Sequence, residues 1–316
     1  MKRKIGVLIG AILVLMTVAL LFAGNYFYNQ AVKRGTEVVL HTEASSVNSL
    51  ASKEDLQHLQ EAKEWFGQQE PEVITIESDE GIELQAQFIS QDKLQGKGVI
   101  LAHGFRNTGE DMGKLAKFYY DLGFDVLLPD SRGHGESGGD YIGYGWHDRL
   151  DYKQWIHFLT MYGEKQIILH GNSMGAATVL MTSGEELPDE VKGIIADSAY
   201  SSVKEELAHQ LKHIYNLPSF PLLNVTSMVT NIRAGYTFEE ASVVNQVKKN
   251  TRPLLIIHGD TDDLVPTKMA QQIYDAAEGD KELWIVPDAG HTKAYDNITI
   301  DYEKHVQSFL DRTLTD

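Results

Sequence analysis

The sequence predicts an α/β protein: a mainly parallel, twisted sheet with helices on both faces, a small helical lid, and an N-terminal helix fit to cross a membrane. Three observations predict it. Short apolar runs alternate with helix-length segments along most of the chain, and strands buried on both faces read as continuous apolar runs. An uncharged stretch of about 20 residues stands near the N-terminus, enough for roughly 30 Å of helix. Between two of the later runs lie about 50 residues, more than a single crossover needs.

In chain order, Lys2, Arg3 and Lys4 precede the uncharged stretch 5–24, and Tyr26, Phe27 and Tyr28 follow it. Residues 1–34 read as an uncleaved membrane anchor, because a cleavable leader has an apolar region of only about 7 to 15 residues. No clean small-x-small cleavage site follows. Three basic residues before the span, against Lys33 and Arg34 after it, place the N-terminus inside and the rest outside a cell membrane crossed once. Residues 35–70 turn polar and read as a helical stalk or a helix lying on the domain. There Leu50, Leu56, Leu59 and Ala62 recur at helical spacing, with Ser52 as N-cap. Residues 71–316 form the main domain, with strands expected at 73–76, 82–88, 99–102, 124–128, 167–169, 194–196, 254–257 and 283–286.

Composition excludes several functions. The 45 acidic against 28 basic residues leave a net charge of -17, which repels phosphate backbones, so nucleic acid is not an expected partner. Absence of cysteine removes disulfides, thiolate nucleophiles and zinc-thiolate sites together.

The chemistry concentrates at Gly171-Asn172-Ser173-Met174-Gly175, which follows the run 167–169 and opens an apolar helix. A serine on so tight a strand-to-helix turn is strained and exposed, with glycines flanking it where side chains would clash. A serine hydroxyl needs a base within hydrogen-bond reach. His291, in Asp288-Ala289-Gly290-His291-Thr292 just past the last run, is placed to swing over the strand ends. His103, His170 and His258 each sit at a strand end before glycine and read as buried structural residues. The base in turn needs a carboxylate to fix its tautomer. Of Asp260, Asp262 and Asp263, all directly after the run 254–257, Asp262 is the choice. Asp260 reads as a turn cap and Asp263 as solvent-facing.

The order nucleophile, acid, base, the elbow at 171–175, the segment 258–266 and the pair Gly290-His291 resemble the α/β-hydrolase superfamily. Within it, the chain is similar to the serine-aminopeptidase-like and esterase branch, and nearest to bacterial membrane-anchored cell-surface hydrolases. The likeness spans roughly residues 73–314. It implies that His103-Gly104-Phe105 is the oxyanion loop, with the amides of Phe105 and Met174 holding the developing oxyanion. It also implies that Asp130-Ser131-Arg132-Gly133-His134-Gly135 is a structural loop near the site. One glycine after His103, rather than a longer run, argues against esters of bulky tertiary alcohols.

Two motifs are declined. Residues 133–138 match G-x-G-x-x-G, but further glycines keep the region irregular where a dinucleotide fingerprint must open a helix. The three aspartates at 260–263 lack the glycine and distant glutamate of a calcium loop. No cofactor and no metal are therefore expected. The insertion at about 200–250, broken by Pro218 and Pro221, is expected to form the lid, with Phe220 and Met228 shaping an apolar substrate pocket. The function read from these residues is hydrolysis of a small acyl substrate, a carboxylic ester or related bond, through an acyl-enzyme on Ser173. A serine peptidase or acyltransferase would use the same residues, and a non-catalytic surface-binding domain would keep only the fold.

Overall fold

A computed structural model describes residues 2–35 and 51–314. Eight strands form one sheet: β1 (Glu72–Glu77), β2 (Glu83–Ile89), β3 (Lys97–Ala102), β4 (Asp125–Pro129), β5 (Gln166–Asn172), β6 (Val191–Asp197), β7 (Leu254–Gly259) and β8 (Lys281–Val286). Their spatial order is β1-β2-β4-β3-β5-β6-β7-β8. The first two strands enter antiparallel, and every pairing from β4 through β8 is parallel. Each of the eight expected apolar runs overlaps one of these strands.

Successive side chains on a strand point to opposite faces, and the core divides accordingly. Ile100 and Ala102 of β3, with Leu254 and Ile256 of β7, pack into one cluster. Val99, Leu101, Leu255 and Ile257 pack into the other. From β3 to β7 both faces are covered and these strands read as apolar runs, whereas the edge strand pair keeps a polar alternation, as in β2.

Eleven helices stand around the sheet among the described residues. Before the sheet come α1 (Lys2–Ala31) and α2 (Lys53–Phe66), and between its strands come α3 (Gly113–Asp121), α4 (Asp148–Tyr162) and α5 (Met174–Ser183). The long connection from β6 to β7 folds as α6 (Val203–Tyr215), α7 (Leu222–Ala234) and α8 (Val243–Val247), the expected helical insertion. Between β7 and β8 comes α9 (Lys268–Ala276), and after β8 come α10 (Ala294–Asn297) and α11 (Thr299–Thr313).

Within residues 51–70, α2 packs against α3 and α11. Ser52 caps α2 by accepting from the Asp55 amide at 3.0 Å, Asp55 returns the bond in a capping box, and Leu59 and Ala62 are buried. Residues 36–50, Leu50 among them, lie outside the described residues.

The helix α1 has two unlike parts. Residues 4–31 are long and apolar enough to cross a membrane, and Ile5, Leu8, Leu15 and Phe22 are exposed. The final turns are buried on the domain instead, at Tyr28 and Val32, packed along α7. The sequence reading leaves residues 1–34 wholly outside the domain. The difference arises because an apolar helix face has the same composition whether lipid or protein covers it.

Candidate active site

Ser173 occupies the single residue between β5 and α5. Its backbone stands at φ 54 and ψ -116, a region that side-chain-bearing residues rarely adopt. Its amide is tied to the Asp197 carbonyl at the end of β6, 2.8 Å away. The flanking glycines make the turn possible: a Cβ on Gly175 would stand 2.0 Å from the Ala102 carbonyl oxygen of β3, and one on Gly171 would stand 2.3 Å from the Gly175 backbone. Strand, serine and helix therefore fold against each other only with no side chain at either position.

The structure brings the three residues singled out in the sequence together. The Ser173 hydroxyl lies 2.8 Å from His291 Nε2, and His291 Nδ1 lies 2.8 Å from Asp262 Oδ2. With the tautomer these partners imply, Ser173 donates to Nε2 and Nδ1–H donates to Asp262. Asp262 is held from behind: its Oδ1 accepts the amides of Leu264 at 3.0 Å and Val265 at 2.8 Å. A second imidazole, His258 Nε2, stands 3.2 Å from its Oδ2. Burial alone would raise the Asp262 carboxyl, but the His291 and His258 imidazoles and their hydrogen bonds hold it well below the usual carboxylate range. It stays ionised, as a partner for an imidazolium must. Asp260 instead accepts the Asp288 amide at 2.7 Å, and Asp263 is exposed.

Over the serine runs the loop after β3. A Cβ on Gly104 would meet Ser173 Cβ at 3.5 Å, so Gly104 and Phe105 pass directly across the site. His103 pins this loop: its Nδ1 bonds the Gly104 carbonyl at 2.8 Å and its Nε2 accepts the Ser131 amide at 2.9 Å. Burial pushes the His103 imidazole down to about 3, which keeps it neutral and able to do both. Met174 is the first residue of α5, where an amide has no partner within the helix.

A serine-aminopeptidase family model, described as serine aminopeptidase S33, matches residues 95–237. The uncharacterized protein YqkD of Bacillus subtilis (strain 168) is 32% identical over 250 residues, covering 78% of this chain and 82% of that protein. The chain belongs to the α/β-hydrolase superfamily. Lysophosphatidylserine lipase ABHD12 of Danio rerio is 28% identical over 192 residues, 58% of this hydrolase and 48% of its own length. Among solved structures, the Pyrococcus furiosus esterase Pf2001 superposes with a TM-score of 0.65 at 25% identity, covering 78% of this chain and 92% of that one.

Two cavities of this hydrolase meet at Ser173. One encloses about 920 Å3 of non-atom space, open mouth included, and is walled by apolar side chains such as Leu207, Leu211, Ile214, Leu223 and Phe238. The other is the more polar of the two and reaches His291, Asn107 and Lys114. Phe105 lines both and Met174 the apolar one. Phe220 and Met228 were expected to shape the apolar pocket and do not line it; they are 75% and 47% exposed. The face that α7 turns inward carries Leu223, Thr226, Thr230 and Ala234, and Met228 falls on its far side. Phe220 precedes that helix.

Sequence reasoning missed three contributors. His258, read as merely structural, lies against Asp262. Ser198 accepts the Thr292 amide at 3.1 Å and bonds Asp197 at 2.9 Å, fixing the loop that carries His291; a buried Asp-Ser pair leaves no signature in sequence. Glu206 lines the apolar cavity with Oε2 unpartnered, and burial pushes its carboxyl up to about 8. It stands one helical turn before Gln210, which donates to its Oε1 at 2.9 Å. The i, i+4 spacing of Glu206 and Gln210 was the available signal.

Proposed function

We propose that this protein is a serine hydrolase that cleaves carboxylic esters through an acyl-enzyme on Ser173. One observation carries the reading: an unbroken hydrogen-bonded chain from the strained Ser173 through His291 to the ionised Asp262, open to a cavity on each side. Ser173 Oγ attacks the ester carbonyl as its proton passes to His291 Nε2. The imidazolium, steadied by Asp262, gives that proton to the departing alkoxide, and the alcohol leaves. Water then attacks the acyl-serine, its proton again taken by His291, and the carboxylic acid departs with Ser173 restored.

The amides of Phe105 and Met174 are the donors for the oxyanion, a contribution of about 2.7 to 4 kcal/mol for a single such donor. An apolar cavity on one side and a polar one on the other suit an acyl chain and an alcohol. The esterase and lipase relatives support an ester over a peptide. We also place the protein in a cell membrane through α1, with the catalytic domain outside. Lys2, Arg3 and Lys4 before the span, against Lys33 and Arg34 after it, support that orientation.

A fluorophosphonate probe tests the chemistry. The full chain should be labelled at Ser173 and hydrolyse 4-nitrophenyl esters, and Ser173→Ala should do neither. Equal labelling of the two forms would sink the assignment.

A further inference from the structure

Building on the hydrolase reading, we propose that the last turns of α1 form a wall of the acyl cavity. The site then takes single-chain esters of an uncharged polyol directly from the lipid layer that holds this helix. The first support is position. Phe27, Gln30 and Ala31 of α1 line the same cavity as Ser173. A segment read as a tether thus supplies part of the surface a substrate would touch.

The second support is that the docking is built, residue by residue. The Gln30 carbonyl accepts from Arg106 at 2.7 Å, next to Phe105 in the loop over the serine. The Ala31 carbonyl accepts from Tyr144 at 2.8 Å, and the Val32 carbonyl accepts from the Ile142 amide at 2.7 Å. The Arg34 guanidinium reaches the carbonyls of Gly135, Ser137 and Gly139 at 2.6, 2.6 and 3.2 Å. The glycine-rich loop that mimics a dinucleotide fingerprint is thus the receptor for Arg34. Higher on the helix, a Cβ at Gly24 would stand 2.6 Å from Val225 Cγ1, so glycine lets α1 lie close on α7. A leader destined for removal has no use for such a seat.

The third support is where the cavity lies along α1. Ile214 and Tyr215 at the end of α6, and Leu222 at the start of α7, bound the cavity where α1 leaves the domain. The Phe27 and Tyr215 rings meet edge to face at 5.2 Å. Just beyond, Leu217 and Phe220 are exposed, and α1 continues through exposed Phe22, Leu21 and Val18. Exposed apolar side chains around the base of a membrane-length helix belong at a lipid surface, and that explains Phe220 better than a pocket role does. An acyl chain could pass from the bilayer between α1, α6 and α7 to Ser173 without crossing water.

The polar cavity sets the alcohol. It holds Lys114 and Lys293 with Asp111 and Asp296, and both lysines pair with Asp296. The signs balance, which favours a hydroxyl-rich neutral group over a phosphate. Monoacylglycerols have this chemistry: the polyol leaves on the polar side and water then releases the fatty acid.

The test uses the full chain in phosphatidylcholine vesicles, with 1-palmitoylglycerol, 1-butyrylglycerol and the anionic 1-palmitoyl-lysophosphatidylglycerol as substrates. Ala31→Trp should narrow the cavity and lower the palmitoyl-to-butyryl ratio of kcat/KM by about tenfold or more, on the scale by which apolar pockets discriminate chain length. Phe27→Ala should move the ratio the other way. Because both esters are read on one preparation, the ratio is independent of how much of a variant folds. The wild-type rate should follow the mole fraction of palmitoylglycerol in the bilayer, and the anionic ester should be the poorer substrate. Ratios unchanged in both variants, a rate set by bulk concentration, or preference for the anionic ester would each overturn the corresponding part of the proposal. Loss of fluorophosphonate labelling in the wild type would instead overturn the hydrolase reading beneath it.

Discussion

At Asp262, geometry and charge agree. The carboxylate orients His291 Nδ1 and is itself fixed by two backbone amides. Asp262→Asn should leave the fold intact and lower kcat by about 10^4, the loss expected when an imidazole is held in the wrong tautomer. Steady-state kinetics beside a thermal melt measures both, and a loss of tenfold or less would mean that Asp262 does not orient the base. Glu206 poses the opposite case. Its carboxyl titrates near 8 in the folded chain against 4.5 ordinarily, because burial disfavours the charged form and the Asp262 charge adds to that. A raised acid binds its proton more tightly when folded, so this stability is complete below pH 4.5 and is lost as pH rises through 8. Glu206→Gln has no proton to lose there. The melting-temperature gain of that variant over wild type should therefore grow between about pH 5 and pH 8, and a difference flat across that window would show that Glu206 is not held neutral.

The loop between β4 and α4 is fastened by Arg132, a buried side chain. It forms a two-pronged pair with Asp151 at 2.7 Å on each arm and further bonds to Glu80 at 2.8 Å and Tyr141 at 2.9 Å. Removing the carboxylate leaves a guanidinium without its main partner inside the protein. Asp151→Ala should cost about 3 to 5 kcal/mol, read as a fall of roughly 10 °C in Tm, while a fall of a degree or less would show the pair to be dispensable. Such an element shows what the sequence could and could not convey. Strands were legible because each is a short apolar run between helices, and the candidate site residues because their motifs are local and follow those strands. The Arg132 pair joins residues whose identities alone announce nothing. Phe220 and Met228 misled because composition marks the insertion as apolar, whereas the phase of α7 decides which side chains turn inward. Contacts made to backbone carbonyls, as by Arg34, leave no trace in a sequence at all.

For the whole molecule, charge and anchorage point in one direction. A net charge of -17 gives the chain no electrostatic attraction to anionic headgroups, so the proposed attachment to a lipid layer rests on α1. Protease treatment of intact cells should digest the catalytic domain and spare a short N-terminal fragment carrying Lys2 to Lys4. A domain left whole on intact cells yet cut after permeabilisation would reverse the orientation.

Arg34, three residues past the end of α1, sits in a cradle of carbonyls, which ties the helix to the globe. On the proposed anchorage, a rod clamped near its end transmits tilt, so the globe would keep one height and one heading above the plane in which the rod stands. Its working volume would then be a thin disc at that plane, surveyed by drifting sideways rather than by reaching outward.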